Sequence, residues 1–427
     1  MSDFWSHSGE ALHFSRGVHQ KVLQHSAVLR GVAVRNLSGH DTVYRLEHLG
    51  ESVWFNHHLP SLTTATAREF GDNKPVAKSF LERAAIQTPK GKHFSRDNID
   101  NAWVYAEKTL GFPVVLKPLS GTGGDGVTSM IETRDHFDVG WKAASVKSRI
   151  IVEQHIVGKD YRLLVVGNKF VAATWREPLS IVGDGVSSVN QLIDAKSELR
   201  KSNPYLAGKT IKLNENNVRT LKEHGYDSKS ILPSGKKLFL QSIANVGAGG
   251  DSYDATDYVH DDFKQIAIRA CNAIPGFALA GIDILVPDIT KPAKGQRYGI
   301  VELNAKPDIA LHHFPVYGTA RDAAGAIVEY LFPLARIIPM QSWRSVSVQF
   351  KGKVTGVGFR KKCSELATLN GIFGQVKNVD DGVVDAEFHG TNTAIDRIIS
   401  TLVKAYKCDH TNTLLQKEKP IKFNIVE

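Results

Sequence analysis

The chain has 427 residues, of which 42% are hydrophobic and 23% are charged, and its formal net charge is +9. This length predicts two or three domains, and since no run of eighteen apolar residues is present we expect no membrane span. The positive charges are scattered and no aromatic-basic recognition motif accompanies them, so we expect no nucleic-acid partner. An anionic small substrate explains part of the positive excess equally well.

Cysteine usage indicates a reducing compartment. The three cysteines, Cys271, Cys363 and Cys408, are far apart and odd in number. They show neither a disulfide framework nor metal-ligand spacing, which predicts free thiols. The segment Met1–His7 lacks a basic stretch followed by an apolar core, so we expect no signal peptide. These features together predict a cytoplasmic protein.

The predicted elements begin with a hairpin. Its strands are Tyr44–Gly50 and Glu51–Phe55, and the irregularly spaced histidines of residues 1–70 fit surface or core positions better than metal binding. Helices are predicted further along the chain at residues 75–87, 97–110, 190–199, 263–274 and 323–334. Ser95 is the predicted cap of the second of these helices, and Gly111 follows its end. Strands are expected to dominate from there to about residue 175. Residues 200–240 are polar and loop-rich, and two prolines within 332–340 mark a boundary.

The segment Phe112–Val127 joins an apolar strand, which ends at Lys117, to a glycine-rich loop. An ammonium group and closely approaching backbone N–H groups are suited to a polyphosphate. The spacing of Gly121, Gly123 and Gly126 imitates a dinucleotide motif, but a second strand follows it where that motif needs a helix. A Walker A sequence is also absent. The pattern therefore predicts a hairpin with a lid over a nucleotide, and the alternative is an ordinary glycine-rich turn.

The strand Ile151–Ile156 carries Glu153 near its end and is followed by the polar segment Gly158–Arg162. The backbone of such a strand end can pair with a purine edge, and a carboxylate can bind the ribose hydroxyls. Taken alone, this segment is explained equally well as an exposed strand with surface charges.

A stronger pattern lies on two later strands. Asp283 is a single carboxylate inside an apolar strand, whereas Glu302 and Asn304 share one face of the next strand. An antiparallel return through residues 287–297 brings Asp283 opposite them. Buried carboxylates are costly unless they are protonated or bound to cations, and three oxygen donors on one face suit Mg²⁺. The alternative is a pair of solvent-facing acids on a one-sided sheet.

These motifs follow one another in an order that is found in a known family. Residues 73–320 resemble ATP-grasp carboxylate–amine ligases, of the kind found in cyanophycin synthetase and bifunctional glutathione synthetases. The segments that carry the resemblance are Asn73–Pro75, Phe112–Pro118, Asp160–Val166, Ile181–Gly185, Ala244–Gly250, Thr256–His260, Gly281–Ile284 and Val301–Asn304. The resemblance implies an ATP-grasp fold, in which two α+β lobes enclose ATP.

The resemblance also implies roles for individual residues. The residues implied to hold ATP are Lys74, Lys117, Ser120, Gly121, Gly123, Gly124, Glu153, His155, Ile156 and Asp160. Within that set the two lysines would bind phosphates, Glu153 to Ile156 would lie at the adenine, and Asp160 would lie at the ribose. The residues implied to bind Mg²⁺ are Asp283, Glu302 and Asn304, with two ions expected and Mn²⁺ as a possible substitute. Arg176 is the implied catalytic residue and would stabilise an acyl phosphate and its tetrahedral adduct. Asn73 stands where the family usually has aspartate.

The elements predicted for residues 344–427 follow a different order from those before them. This order is β-α-β-β-α-β, as in a ferredoxin-like domain, with residues 421–427 as the last strand. This stretch resembles acylphosphatase through Gly356–Arg360, Gly374–Asn378 and Asp381–Gly382. The resemblance implies that Arg360 binds phosphate and that Asn378 orients the attacking water. Thr355 stands where the family usually has glutamine. The alternative is a domain kept for packing or substrate contact.

The sequence therefore predicts an α+β protein with an N-terminal substrate-side segment (1–72), an ATP-grasp ligase domain (73–338) and an acylphosphatase-like domain (344–427). The expected reaction is ATP-dependent amide formation between an amino acid or peptide carboxylate and an amine, through an acyl phosphate. The acylphosphatase-like domain is expected to hydrolyse acyl phosphates. A kinase acting on a small acceptor and a nucleotide-binding regulator remain as alternatives. The expected partners are small molecules, and a homodimer is compatible with the sequence.

Overall fold

The computed structural model describes residues 17–37, 40–119, 126–146, 149–337, 343–415 and 423–426. At Asp41 and residues 423–426 only the backbone is described. The chain divides into two compact units, one formed by Met1–Ser61 with Ala324–Glu427 and the other by Leu62–Ala323. None of the helices in the described part of the chain is long and apolar enough to cross a membrane.

The first described segment is a helix followed by a small antiparallel sheet. Its elements are α1 (Val18–Leu29), β1 (Ala33–Leu37), β2 (His40–His48), β3 (Glu51–Asn56) and β4 (Leu59–Pro60). The predicted hairpin is confirmed, because β2 pairs with β3 and Tyr44 lies opposite Phe55. These two rings stack in the interior with their centroids 5.2 Å apart. The sheet therefore has its own aromatic core.

The unit Leu62–Ala323 contains eight described α-helices and eleven described strands, besides short helical turns of other types. The helices are α2 (Ala65–Asp72), α3 (Lys74–Arg83), α4 (Ile99–Tyr105), α5 (Arg134–Ala144), α6 (Val189–Lys201), α7 (Glu215–Glu223), α8 (Asp261–Ala273) and α9 (Ala310–His313). The strands are β5 (Gly91–Ser95), β6 (Val114–Pro118), β7 (Thr128–Ile131), β8 (Arg149–Gln154), β9 (Lys159–Val166), β10 (Lys169–Glu177), β11 (Ser180–Val182), β12 (Lys237–Phe239), β13 (Asp251–Asp254), β14 (Leu279–Val286) and β15 (Gly299–Asn304).

Strands β5, β8, β6 and β7 form a four-stranded antiparallel sheet in the order β5-β8-β6-β7. The predicted pairing of β6 with the strand after the glycine loop is confirmed. Helix α5 was not predicted, although Thr133 caps it and it buries Phe137 and Trp141 one turn apart. The valine and glycine within it weaken the helical signal. The predicted cap was also wrong: Ser95 ends β5, whose pairing with β8 extends that far, and Asn98 precedes α4.

The larger sheet has the order β13-β10-β9-β14-β15. One face is apolar and packs against helices that include α3 and α8, with Leu163 of β9 and Ile282 of β14 in the core. The neighbouring positions Arg162 and Asp283 point the other way because side chains alternate along a strand. Asp283 lies opposite Glu302 in the β14–β15 pair, as the sequence predicts. One face of this sheet therefore forms the core and the other carries the charged residues.

Residues 179–240 fold around a smaller apolar cluster that includes Leu179, Val189, Leu221 and Leu238. The sequence predicts a polar, loop-rich stretch for residues 200–240 and no particular element within it, but α7 and the short strand β12 lie there. Helix α7 begins with a capping box, in which Asn214 and Asn217 exchange side-chain and backbone hydrogen bonds. The sequence therefore contained a capping box, but it was not recognised because two asparagines form it in place of the more usual serine and glutamate.

The last segment contains α10 (Ala323–Leu331), β16 (Trp343–Lys351), α11 (Phe359–Leu369), β17 (Phe373–Asp380), β18 (Val383–Thr391), α12 (Asn392–Tyr406), β19 (Asp409–Leu414) and β20 (Phe423–Val426). The strand order β19-β16-β18-β17-β20 contains the expected ferredoxin-like arrangement. The predicted last strand is confirmed at Phe423–Val426, but it is not the fourth strand of the ferredoxin-like pattern. Strand β19 takes that place and its six residues are all exposed, so no apolar alternation marks it in the sequence. Strand β20 adds a fifth strand parallel to β17. Part of the predicted boundary at 332–340 lies outside the described residues.

Candidate functional site

A cavity of about 840 Å³ lies in the unit Leu62–Ala323. Its lining contains every described residue that the sequence implied for the ATP-grasp site. These residues are Lys74, Lys117, Glu153, His155, Ile156, Asp160, Arg176, Asp283, Glu302 and Asn304. The four loop residues Ser120, Gly121, Gly123 and Gly124 lie outside the described residues. The fold thus gathers into one cavity residues that are more than 200 positions apart in the chain.

Two lysines share one buried carboxylate at one end of the cavity. Strands β6 and β8 place Lys117 beside Glu153, and Lys117 donates a hydrogen bond to Glu153 Oε1. Lys78 of α3 donates to the other oxygen, Oε2, at 2.5 Å. Burial alone would raise the pKa of Glu153, but the two ammonium groups lower it below its ordinary value. Burial lowers the pKa of Lys117.

An arginine–aspartate network covers the polar face of the larger sheet. Register pairs Arg176 with Asp160 and Asp283 with Arg162. Arg176 Nε donates to Asp160 Oδ1 at 2.9 Å, and Arg162 Nη2 donates to Asp283 Oδ2 at 3.0 Å. A further contact of 3.1 Å joins Arg176 to Asp283 Oδ2, which links the two pairs. The four groups therefore form one continuous charged network.

The network shifts the pKa values of its members in opposite directions. Burial alone would raise the pKa of Asp283, but the guanidinium groups of Arg162 and Arg176 lower it. Burial raises the pKa of Asp160, because Arg176 offsets only part of the desolvation and Asp283 repels its charge. Burial alone would lower the pKa of Arg176, but Asp160 and Asp283 raise it well above its ordinary range. The arginines therefore stay charged at any pH of interest.

The three predicted metal ligands lie on neighbouring strands and face the same cavity. Glu302 accepts a hydrogen bond from Lys74 Nζ at 3.0 Å. Asn304 Nδ2 is buried and has no hydrogen-bond partner among the described residues. No group of three or more histidine, cysteine or acidic side chains suited to a metal occurs in the described part of the chain. A divalent ion here would thus need the Asn304 oxygen together with the two carboxylates, a donor set of the hard oxygen type that suits Mg²⁺.

The segment after β8 supplies the other wall of the cavity. The backbone N–H groups of Gln154 and His155 donate to Lys90 O and Pro113 O, at 2.8 and 3.1 Å. Within the described residues the N–H of Ile156 has no backbone acceptor, and His155 Nδ1 is buried without a partner. An unpaired donor beside an apolar wall is suited to the edge of a purine ring.

Sequence reasoning missed four residues near this cavity: Lys78, Arg162, Tyr205 and Asp308. The sequence could have indicated the first two, because each shares a face of its element with a predicted site residue. Lys78 follows Lys74 by one helical turn, and Arg162 follows Asp160 by two strand positions. No such indication exists for the other two. Tyr205 donates its hydroxyl to Asp308 across 103 residues of sequence, and only the folded chain shows that both line the cavity.

The second candidate site lies in the last segment of the chain. Arg360 is the second residue of α11, whose N-cap Gly358 has φ 77° and makes no side-chain capping hydrogen bond. Asn378 lies exposed on β17. The Thr355 hydroxyl donates to Asp381 Oδ1 at 2.8 Å and accepts from Gly382 N at 3.2 Å. Thr355 therefore ties the loop before α11 to the β17–β18 turn.

Comparison with known protein families identifies both regions. Residues 71–184 match the model of the RimK-like ATP-grasp domain. The computed model superimposes on a bifunctional glutathione synthetase from Pasteurella multocida with a TM-score of 0.55 and 29% identity, over 73% of this chain and 44% of that one. The chain contains an ATP-grasp domain. Residues 346–420 match the acylphosphatase model, so an acylphosphatase domain follows the ATP-grasp domain.

Two curated relatives match more than half of this chain. The bifunctional glutathione biosynthesis protein GshAB of Clostridium perfringens is 34% identical over 269 residues, which are 61% of this chain and 34% of the relative. The cyanophycin synthetase of a Nostoc species is 34% identical over 269 residues, which are 62% of this chain and 29% of the relative. The chain thus spans about a third of the length of these relatives.

Proposed function

We propose that the ATP-grasp domain is an ATP-dependent ligase that joins the carboxylate of an amino acid or peptide to an amine. The observation that carries the proposal is the cavity itself, which places Lys74, Lys117 and Arg176 around the oxygen donors Asp283 and Glu302. A cavity that holds both cationic groups and oxygen donors for a metal ion suits phosphoryl transfer, because catalysis of that step depends on positioning and charge neutralisation.

The proposed reaction has two steps. A substrate carboxylate oxygen attacks the γ-phosphorus of ATP, which gives an acyl phosphate and releases ADP. The amine then attacks the acyl carbon, and inorganic phosphate leaves. Lys74 and Lys117 bind the phosphates throughout, and Arg176 stabilises the negative charge of the acyl phosphate and of the tetrahedral adduct. No covalent bond to the enzyme is required.

We further propose that Asp283, Glu302 and Asn304 would hold two Mg²⁺ ions, which would neutralise negative charge on the phosphates. The donor set supports this, because two carboxylates and one amide oxygen are the hard oxygen ligands that Mg²⁺ prefers. The three cysteines are free and buried, which supports a reducing, cytoplasmic setting.

The decisive experiment measures phosphate and ADP release with a matrix of amino-acid pairs, followed by mass spectrometry of the products. A ligase produces an amide and consumes ATP in proportion to it. A kinase produces a phosphorylated acceptor that accumulates whether or not an amine is present. No ATP turnover with any pair would refute both activities and favour a nucleotide-binding regulator.

A second candidate function is favoured by the acylphosphatase domain. The uncapped helix start beside Arg360 can bind an oxyanion through backbone N–H groups and a guanidinium. We propose that this domain hydrolyses acyl phosphates, including intermediate that escapes from the ligase before an amine arrives. Comparison of ATP consumed per amide formed in the wild type and in Arg360→Ala tests this role. An unchanged ratio, together with unchanged acetyl phosphate hydrolysis, would rule it out.

A further inference from the structure

Lys78 holds Glu153 from behind the wall of the proposed nucleotide cavity. Its ammonium donates to Glu153 Oε2 at 2.5 Å and to Pro89 O at 2.9 Å. The cavity wall includes Lys117 and Glu153, whereas Lys78 is not among the described residues that line it. A direct contact with a ligand is therefore not the role that the geometry gives to Lys78.

The three groups form a buried triad with an uneven charge count. The side chains of Lys78, Glu153 and Lys117 are 15%, 3% and 10% exposed, and both lysines bind the same carboxylate. Two ammonium groups and one carboxylate leave one net positive charge. Without Lys78, Lys117 and Glu153 would form a neutral pair, and the cavity would lose that charge although no lining residue had changed.

Such a charge has a large effect in a poorly solvated site. A unit charge about 8 Å from one phosphate charge, at an effective dielectric constant of about 20, corresponds to roughly a thirtyfold change in affinity. The charges of the triad also act on one another within the protein. Burial lowers the pKa of Lys117, Glu153 opposes that shift, and Lys78 and Lys74 add to it, which shows that these charges act on one another.

We infer that Lys78 is a positioning residue that supplies the net positive charge of this triad and so determines how strongly the cavity binds the phosphates of ATP. It does so by occupying one oxygen of Glu153, which leaves the charge of Lys117 less neutralised by that carboxylate. This inference rests on the proposed nucleotide site and adds to it a residue outside the cavity wall.

The test compares a nucleotide with and without phosphates. In Lys78→Met, the Kd of the non-hydrolysable analogue AMPPNP, measured by calorimetry, is expected to rise by tenfold or more. The Kd of adenosine is expected to stay within about twofold, because adenosine carries no charge for the triad to act on. The AMPPNP effect is expected to shrink as salt is raised. Loss of adenosine affinity to the same extent would show that Lys78 only supports the shape of the pocket, and would overturn the inference.

Three further variants make the result specific to charge. Lys78→Arg keeps the charge and is expected to retain AMPPNP affinity. The double variant Lys78→Met/Glu153→Gln restores one net positive charge and is expected to bind AMPPNP at least fivefold more tightly than Lys78→Met. Lys201→Met removes a lysine that pairs with Glu198 on the surface, and is expected to bind as the wild type does.

Two outcomes separate this inference from the function on which it depends. If Lys78→Met does not fold, Lys78→Gln makes the same charge change with a polar side chain and takes its place in every comparison. Wild-type protein that binds neither AMPPNP nor adenosine would refute the nucleotide site itself. Wild-type protein that binds both, with AMPPNP affinity unchanged in the neutral variants, would refute only the role of Lys78.

Discussion

The arginine–aspartate network allows us to predict how much stability is lost when either of two predicted metal ligands, Asp283 and Glu302, is replaced. The Asp283 and Arg162 side chains are 8% and 11% exposed, and Arg162 donates to both oxygens of Asp283. Removing one partner of such a buried pair leaves an uncompensated charge and typically costs about 3–5 kcal/mol. Asp283→Asn should therefore lower the free energy of unfolding by about that amount.

Glu302 provides the matched control, because it is a predicted ligand of the same ion. It is 34% exposed and pairs with one lysine, Lys74. A partly exposed pair contributes about 0–1 kcal/mol, so Glu302→Gln should leave stability nearly unchanged. Both variants should lose ATP turnover, but only Asp283→Asn should unfold at lower urea.

The assay is urea unfolding combined with hydrogen exchange of peptides from β9 and β14, which reports on this sheet without assuming a single transition. Adding Arg162→Met to Asp283→Asn should recover most of the lost stability, since no unpaired guanidinium then remains beside residue 283. If Asp283→Asn and Glu302→Gln differed by less than about 1 kcal/mol in stability, the network would not have the buried character described above.

Three further outcomes are expected. Arg360→Ala should reduce acetyl phosphate hydrolysis by about 10²-fold or more while the exposed neighbour Lys361→Ala does not, as measured by phosphate release. Gly374→Ala should destabilise the acylphosphatase domain by more than about 3 kcal/mol, because φ is 140° there and a Cβ would lie 1.8 Å from a β18 carbonyl oxygen. The control is Gly208→Ala, where an added Cβ would meet open space, and its free energy of unfolding should stay within about 0.5 kcal/mol of the wild type. Hydrogen exchange of peptides from β17 and β18 measures the effect and should be unchanged in this control. The folded pKa of Glu153 lies below its unfolded value, so the unfolded chain binds more protons and stability should fall as pH drops below about 5. Glu153→Gln should flatten that slope in acid unfolding measured by circular dichroism.

The sequence predicted the parts of the fold that depend on local pattern and pairing. Asp283 opposite Glu302 follows from period-two alternation on two apolar strands joined by a short return. Strand β19 could not be predicted in this way, since all its side chains are exposed and only its pairing with β16 holds it in the sheet. Pattern analysis detects burial on one face, and an edge strand without that burial gives no such signal.

For the candidate site, the sequence predicted which residues would meet but not how their charges would be balanced. It treated Asp283 as a carboxylate that needs a metal, whereas the folded chain already supplies Arg162 and Arg176. Those partners lie on β9 and β10, and their approach depends on a sheet order in which β14 joins β9. Sheet order is a long-range property that no local spacing contains, which is why the counter-charges were missed.

The charge balance of the site also bears on how its ligands must bind. Glu302 is held by Lys74, yet the proposed function needs Glu302 for a divalent ion and Lys74 for a phosphate. A metal ion that binds alone must displace the Lys74 ammonium group from Glu302 and leave its charge without a partner. A nucleotide that binds alone must draw Lys74 away from its carboxylate. When both are present each releases the residue that the other needs, because the phosphate takes Lys74 and leaves Glu302 to the ion. Binding of one therefore favours binding of the other, and by linkage the coupling is the same in both directions. If the proposed function holds, the salt bridge between Lys74 and Glu302 would thus oppose the binding of either ligand alone.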